Sequence, residues 1–311
     1  MSEKVTEEKK KLRCGMVSIV GRPNVGKSTL LNRIVGEKIA IVSKVPQTTR
    51  NQIRGVYSDE RGQIVFIDTP GLHLGGDKLD KFMNRASMET MGGVDCVIHL
   101  VDSSERIGEE EHFVVENLAK TKCPIILGLN KVDLKGKFIP EYITLWEQIK
   151  GKPVTQMEKF ILLPLSGKDG IHVEKLLEIL FDFLPEGELL YPEDTVTDYP
   201  KKQMISDIIR EKFLNIMREE VPHSIAIVIE EMRPKKGKMF YIRALVMVER
   251  DSQKEIVIGR GGLILKKVGT QARQELEIIL DTKIYLEIFV KAQTHWRDDP
   301  SMLEEMGYVF E

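Results

Sequence analysis

The sequence predicts an α/β fold in two units, and three observations carry that prediction. Residues 15–184 alternate apolar, β-branched runs with segments of helical spacing, the pattern of a mostly parallel sheet covered on both faces. A complete phosphate-binding spacing, G-x-x-x-x-G-K-[ST], falls between the first strand candidate and the first helix candidate. Residues 201–293 then read in the order αββααβ, a smaller unit set off by the proline- and acid-rich stretch 185–200.

The first unit reads as six strands, starting near Met16, Ile53, Gln63, Val94, Ile125 and Phe160. Ile53–Tyr57 and Gln63–Ile67 are joined by Ser58-Asp59-Glu60-Arg61-Gly62, a hairpin connection that makes one pair antiparallel. The remaining strands read as βα units, so their loops emerge at the carboxyl ends of the sheet, where ligands bind in such folds. Val173–Phe183 is the last helix, closed by Leu184-Pro185.

The chemistry of this unit sits in four of those loops. Gly21-Arg22-Pro23-Asn24-Val25-Gly26-Lys27-Ser28, followed by Thr29, follows the apolar run Met16–Val20 and opens a helix. A glycine turn at a helix N-terminus aims backbone N–H groups and a positive dipole end at a polyphosphate. Lys27 adds a point charge for the outer phosphates, and the Ser28 hydroxyl is a Mg²⁺ ligand candidate. Asp68 and Gly71 lie in Asp68-Thr69-Pro70-Gly71, the first to hold Mg²⁺ through water and the second to meet the γ-phosphate with its N–H. Asn130-Lys131-Val132-Asp133 carries the base preference. A carboxylate at Asp133 accepts from guanine N1–H and the 2-amino group together, whereas adenine offers neither and would leave the carboxylate unpaired. Ser166-Gly167 is a further guanine-contacting loop candidate, through its backbone. Between the first two motifs, Pro46-Gln47-Thr48-Thr49-Arg50 offers a threonine that ligates Mg²⁺ only when the γ-phosphate is present; Thr49 is the first choice and Thr48 the alternative.

Together these motifs resemble the Ras-like GTPases of the translation-factor class, and within them the Era family. The resemblance covers nearly the whole chain beyond the first dozen residues. It implies GTP and GDP as ligands, Mg²⁺ as cofactor, and GTP hydrolysis as the activity. Lys27, Thr49, Gly71 and Asn24 are the catalytic candidates. Leu72 stands where Ras-like enzymes usually carry a water-orienting glutamine, so hydrolysis should be slow or use another device. Asn24 is a candidate ligand for a K⁺ ion beside the phosphates. Gly167 departs from the more usual alanine, at a position where only the backbone is needed.

In the second unit, the run Met204–Arg218 has an apolar helical face. Two alternating strands follow, with Ile225, Ile227 and Ile229 on one and Phe240, Ile242, Ala244, Val246 and Val248 on the other. Ile256-Val257-Ile258 leads into Gly259-Arg260-Gly261-Gly262, after which a helix and a last alternating strand complete the unit. A G-x-x-G between helical segments in this order resembles a type II KH domain. Glycines let a sugar-phosphate chain approach the backbone. Arg260, Lys266 and Lys267 are phosphate-contact candidates, with Ile258 and Leu263 edging an apolar groove for bases. Lys235, Lys236, Lys238, Arg243, Lys254, Arg273 and Lys291 add basic character around the unit. Trp296, in the tail spanning 294–311, is expected to pack rather than to touch RNA. The resemblance implies the 3′ end of 16S rRNA and the small ribosomal subunit as partners.

Composition is compatible with this and excludes little else. With 46 basic and 48 acidic residues the net charge is −2, so any nucleic-acid surface must be local. Aromatic content of 6% argues against an RRM or OB stacking platform. Three scattered cysteines point to free thiols in a reducing compartment, and the histidines show no metal-ligand spacing. Residues 1–14 form a charged tail without an apolar core, so no secretory signal is expected. A cytoplasmic monomer is expected, with peripheral membrane contact left open. The short 185–200 stretch suggests that the two units can reorient.

Overall fold

The computed structural model describes residues 11–72, 77–90, 92–217, 221–235 and 239–306. Arg218, Lys236, Lys238, residues 1–10 of the expected N-terminal tail and 307–311 of the C-terminal one lie outside the described residues.

The first unit runs β1 (Arg13–Val20), α1 (Lys27–Val35), β2 (Ile53–Asp59), β3 (Gly62–Asp68), α2 (Lys78–Thr90), β4 (Cys96–Asp102), α3 (Glu109–Leu118), β5 (Ile125–Asn130), α4 (Ile139–Lys150), β6 (Phe160–Pro164) and α5 (Val173–Phe183). The strands form one six-stranded sheet, ordered β2-β3-β1-β4-β5-β6, in which only the β2–β3 pair is antiparallel. Burial explains the continuous apolar runs: β3 and β4 are buried at every residue because helices cover both faces. Leu30, Leu31, Leu176 and Leu180 fill one side against β1 and β3; Val114, Leu118, Leu145 and Trp146 fill the other.

The second unit runs α6 (Lys201–Ile216), α7 (Val221–Ser224), β7 (Ala226–Lys235), β8 (Met239–Val248), α8 (Asp251–Ile258), α9 (Leu263–Ile279) and β9 (Lys283–Ala292), followed by α10 (Pro300–Glu305). Pro200 caps α6, so the helix opens at Lys201, about a turn before the start expected from its apolar spacing. β8 pairs antiparallel with β7 and parallel with β9, and one face of this sheet packs on α6 and α9 through Ile242, Ala244, Val246, Val268, Ala272 and Ile284.

The connecting stretch pairs with the edge of the first unit's sheet. Thr197 bridges Gly55, Val56 N–H donates to the Val196 carbonyl (2.8 Å), and Gln63 holds Tyr191 through both its amide groups. Composition signals a linker here, but a sheet edge has unpaired backbone groups that a nearby chain can satisfy.

The two units share buried surface. Ile41, from the segment after α1, sits in the second unit's core. Arg50 is buried and donates to the Ile225 (2.9 Å) and His223 (3.1 Å) carbonyls. Arg210 of α6 donates to the Thr48 carbonyl (2.6 Å), and Lys38 pairs with Glu211 and Glu275. Trp296 is fully buried among Leu79, Met83, Val228, Met247 and Leu303, with its indole N–H on the Ser224 carbonyl (3.0 Å). It therefore packs, and it does so between α2 and the second sheet.

Candidate nucleotide site and candidate RNA-binding loop

Strand β1 ends at Val20, and the chain turns through Gly21–Gly26 into α1. Only unusual backbone makes this turn: Asn24 and Gly26 both have positive φ, and a Cβ on Gly26 would lie 2.5 Å from the Asn130 side-chain nitrogen. The Lys27 ammonium caps the loop from within, donating to the Gly21 and Arg22 carbonyls at 2.9 Å each. Burial lowers its pKa to about 8, against the opposing field of Asp68.

Ser28, Thr49 and Asp68 converge although far apart in sequence. The Ser28 hydroxyl donates to Asp68 (2.6 Å) and lies 2.9 Å from the Thr49 hydroxyl. Thr48 instead turns its hydroxyl onto the Val45 carbonyl (2.5 Å). Burial raises Asp68 to about 6, and its second carboxylate oxygen is buried without a hydrogen-bond partner. Two hydroxyls and a carboxylate with a spare oxygen suit a hard, oxygen-seeking cation such as Mg²⁺.

Asn130 joins three loops. Its amide N–H donates to the Val25 carbonyl (2.7 Å), and its oxygen accepts from the Gly167 N–H (2.9 Å). Lys131 donates to the Asn24 carbonyl (2.9 Å) and pairs with Asp102 (2.5 Å). Asp133 carries a buried carboxylate oxygen without a hydrogen-bond partner. Ser166 is buried and accepts from the Asp169 N–H with its hydroxyl (3.1 Å). A cleft of about 550 Å³ is lined by Pro23, Asn24, Lys27, Thr29, Thr49, Gly71 and Lys131 among others, whereas Asp68, Asn130, Asp133, Ser166 and Gly167 lie outside its lining. Arg22 is not in that lining: its guanidinium faces Glu111 (3.3 Å) and Glu105 (3.2 Å). Leu72 is fully buried in the core, so it cannot reach a water in the cleft.

Chain-wide comparisons agree with this geometry. Residues 16–131 match a family model described as 50S ribosome-binding GTPase, and residues 220–297 match a KH domain model. GTPase Era of Trichlorobacter lovleyi is 45% identical over 297 residues, which cover 95% of this chain and 98% of the relative. The chain belongs to the GTPase Era family. The Era relative from Carboxydothermus hydrogenoformans is also 45% identical, covering 96% of this chain and 98% of its own. A solved Aquifex aeolicus Era variant bound to GDP·AlF₄⁻ is 36% identical, with a TM-score of 0.88, covering 96% of this chain and 100% of that one. An Era structure in complex with MgGDPNP and nucleotides 1506–1542 of 16S ribosomal RNA is 35% identical, with the same TM-score and coverage.

In this Era-family chain the G-x-x-G turn links α8 to α9. Gly259, Gly261 and Gly262 all have positive φ, and a Cβ on Gly259 would meet Ile264 at 2.7 Å. Beside Gly261 and Gly262 space is open, so a sugar-phosphate chain can come against the backbone. Arg260, Lys266 and Lys267 are exposed, Leu263 is exposed, and Ile258 is half-buried. Ile256, 48% exposed, lies on the same short helix as Ile258 and was not singled out by sequence.

Sequence reasoning also missed Asp102, Arg50 and Arg210. Asp102 ends the apolar run of β4, so the strand-end logic that finds Asp68 and Asn130 could have found it. For the two arginines the contacts that join the units are to carbonyls more than 150 residues away in the chain, which no local pattern signals.

Proposed function

We propose that this protein is a GTP-hydrolysing switch that binds the single-stranded 3′ end of 16S rRNA during small ribosomal subunit assembly, in the cytoplasm and as a monomer. One observation carries the nucleotide half: buried, partnerless oxygens on Asp68 and Asp133 flank a phosphate-binding loop, one suited to Mg²⁺ and the other to guanine. The RNA half rests on the open G-x-x-G loop, together with a family relative solved with that RNA.

Ser28 and Thr49, with Asp68 through water, would hold Mg²⁺, which would neutralise charge on the outer phosphates. Lys27 releases the loop carbonyls and turns to the phosphates, joining the loop amides in stabilising the charge that spreads over the transferring phosphoryl group. The Gly71 N–H meets the γ-phosphate. Asn130 fixes the phosphate loop and the Gly167 loop in one register, and Asp133 reads the guanine edge. Water attacks the γ-phosphate without a side chain from position 72 to orient it. Asn24, whose amide N–H donates to the Lys44 carbonyl (2.9 Å), would offer its side-chain oxygen to a K⁺ beside the phosphates. GTP turnover should then rise in K⁺ over Na⁺ and lose that preference in Asn24→Ala; a wild type indifferent to the two ions removes K⁺ from the mechanism.

The function is tested by RNA affinity in the two nucleotide states. A short RNA from the 16S 3′ end should bind more tightly with a non-hydrolysable GTP analogue than with GDP, and changes at Gly259–Gly262 should abolish it. Asp133→Asn should shift preference toward xanthine nucleotides, since the amide donates where the carboxylate accepts. Absence of RNA binding in both states would refute the RNA half; unchanged guanine preference in Asp133→Asn would refute the base reading.

A further inference from the structure

The G-x-x-G loop lies with the helices on one side of the second unit, which leaves the other face of its sheet to be explained. Trp296 and Leu303 cover one end of that face, over Ala226, Val228 and Met247. Among the described residues nothing covers the far end, and the strand register sets a row of side chains across it: Arg233 on β7 pairs with Tyr241 on β8, which pairs with Tyr285 on β9. The two tyrosine rings stack, with centroids 6.0 Å apart and planes 19° from parallel. The Arg233 guanidinium lies 4.8 Å from the Tyr241 ring, and the Lys235 ammonium 4.0 Å from the Tyr285 ring. Further along the same face, the Arg243 guanidinium lies 4.6 Å from the Phe289 ring.

Tyr285 and Phe289 are 44% and 45% exposed, unusual for large aromatics with a packed core available. We propose that this open end of the sheet is a second single-stranded RNA surface, separate from the G-x-x-G loop. Bases stack on Tyr285, on Phe289 and on the Arg243 plane above it, while Arg233 and Lys235 meet phosphates. The inference rests on the RNA-binding reading above and extends it.

The chemistry favours nucleic acid over protein. Protein-docking patches have apolar centres depleted of charge. Here each of these aromatics sits beside a cation or against a ring that does, and guanidinium planes themselves stack with bases. Arg233, Lys235, Arg243 and Lys283 outnumber Glu230, Glu231 and Glu287 on this end, in a chain whose overall charge is −2. Two of those glutamates already pair with exposed arginines, Glu231 with Arg233 (2.5 Å) and Glu230 with Arg243 (3.3 Å), and exposed pairs exchange readily for phosphate. A G-x-x-G loop clamps about four nucleotides, so a longer RNA needs further surface.

The test compares two RNAs on the full chain at one salt concentration: nucleotides 1506–1542 of 16S rRNA, and a piece of about four nucleotides, the length the G-x-x-G loop clamps. Tyr285→Ala with Phe289→Ala should weaken the long RNA at least tenfold, by the usual loss per stacked base, and leave the short one within about twofold. Unchanged short-RNA affinity and GTP turnover certify that the variant is folded. Equal affinity of variant and wild type for the long RNA would overturn the proposal. So would a variant that keeps its affinity for naked RNA but no longer sediments with small subunits, because the face would then serve a protein. A wild type that binds neither RNA removes the RNA reading itself, and this surface with it.

Discussion

Replacing Asn130 with alanine removes the one side chain that ties the phosphate loop to the Gly167 loop. Asn130 is 3% exposed and makes two short hydrogen bonds, to the Val25 carbonyl (2.7 Å) and from the Gly167 N–H (2.9 Å). Each group, left without this partner in a buried place, costs about 1–3 kcal/mol. Water can enter the space left by the amide, so the lower half of the summed range applies, about 3 kcal/mol. The loss divides between folding and binding, because the same two loops clasp the nucleotide. If most of it is expressed in the cleft, GDP affinity falls by roughly a hundredfold, at about 1.4 kcal/mol per tenfold. A titration with a fluorescent guanine nucleotide reads the affinity, and a thermal melt reads the remainder. Asn130→Asp separates the two contacts: it still accepts from Gly167 but sets a carboxylate against the Val25 carbonyl, so it should bind no better than the alanine variant. An alanine variant with an unchanged melt and an affinity within about threefold of wild type would refute the reasoning, since a tenfold loss needs only about 1.4 kcal/mol.

Three further outcomes follow from buried or strained positions. Trp296→Ala empties a fully buried site between α2 and the second sheet and should cost about 3–5 kcal/mol in chemical denaturation, while Trp296→Phe, which orphans only the Ser224 carbonyl, should cost about 1–3. Gly259→Ala forces a Cβ to within 2.7 Å of Ile264 at φ +73°, and should cost about 1–3 kcal/mol and reduce RNA affinity; wild-type stability would show that the turn relaxes freely. Lys27 has a folded pKa of about 8, below its ordinary 10.5, so the native state binds fewer protons than the unfolded one between those values. Stability without nucleotide should therefore rise with pH across that window and stay flat, as far as Lys27 is concerned, below it. GTP placed against Lys27 restores the proton, so calorimetry near the middle of the window, in buffers of different ionisation heat, should show proton uptake; a buffer-independent heat refutes the assignment.

How much was legible depended on how local the cause was. The turn at Gly21–Ser28 and the helix after it are dictated by neighbouring residues, so spacing alone placed the loop. Val173–Phe183 was legible to the residue, because its apolar stripe and the following Leu184-Pro185 define both ends. The convergence of Ser28, Thr49 and Asp68 was legible only through motif resemblance, since no local rule brings a loop threonine to a helix N-terminus. Arg22 shows the limit of motif reading: it belongs to the phosphate-binding string, yet its side chain serves Glu111 and Glu105. Residues 185–200 read as a linker by composition, and they bond to backbone groups on β2 and to the Gln63 side chain on β3. The low aromatic content agreed with the KH match, though a chain-wide percentage does not show that Tyr241, Tyr285 and Phe289 share one face of one sheet.

Asn215 of α6 lines the nucleotide cleft, and Ile41, from the segment that borders that cleft, is buried in the second unit's core. The boundary that composition draws near residue 185 is therefore not a boundary between surfaces. A fragment ending there would keep every motif residue that recognises GTP and yet present an incomplete pocket, with Ile41 bared and the Thr48 carbonyl deprived of Arg210. Nucleotide constants measured on such a fragment would describe a different object from the intact chain. What the sequence writes as two successive paragraphs, the folded molecule reads as one sentence.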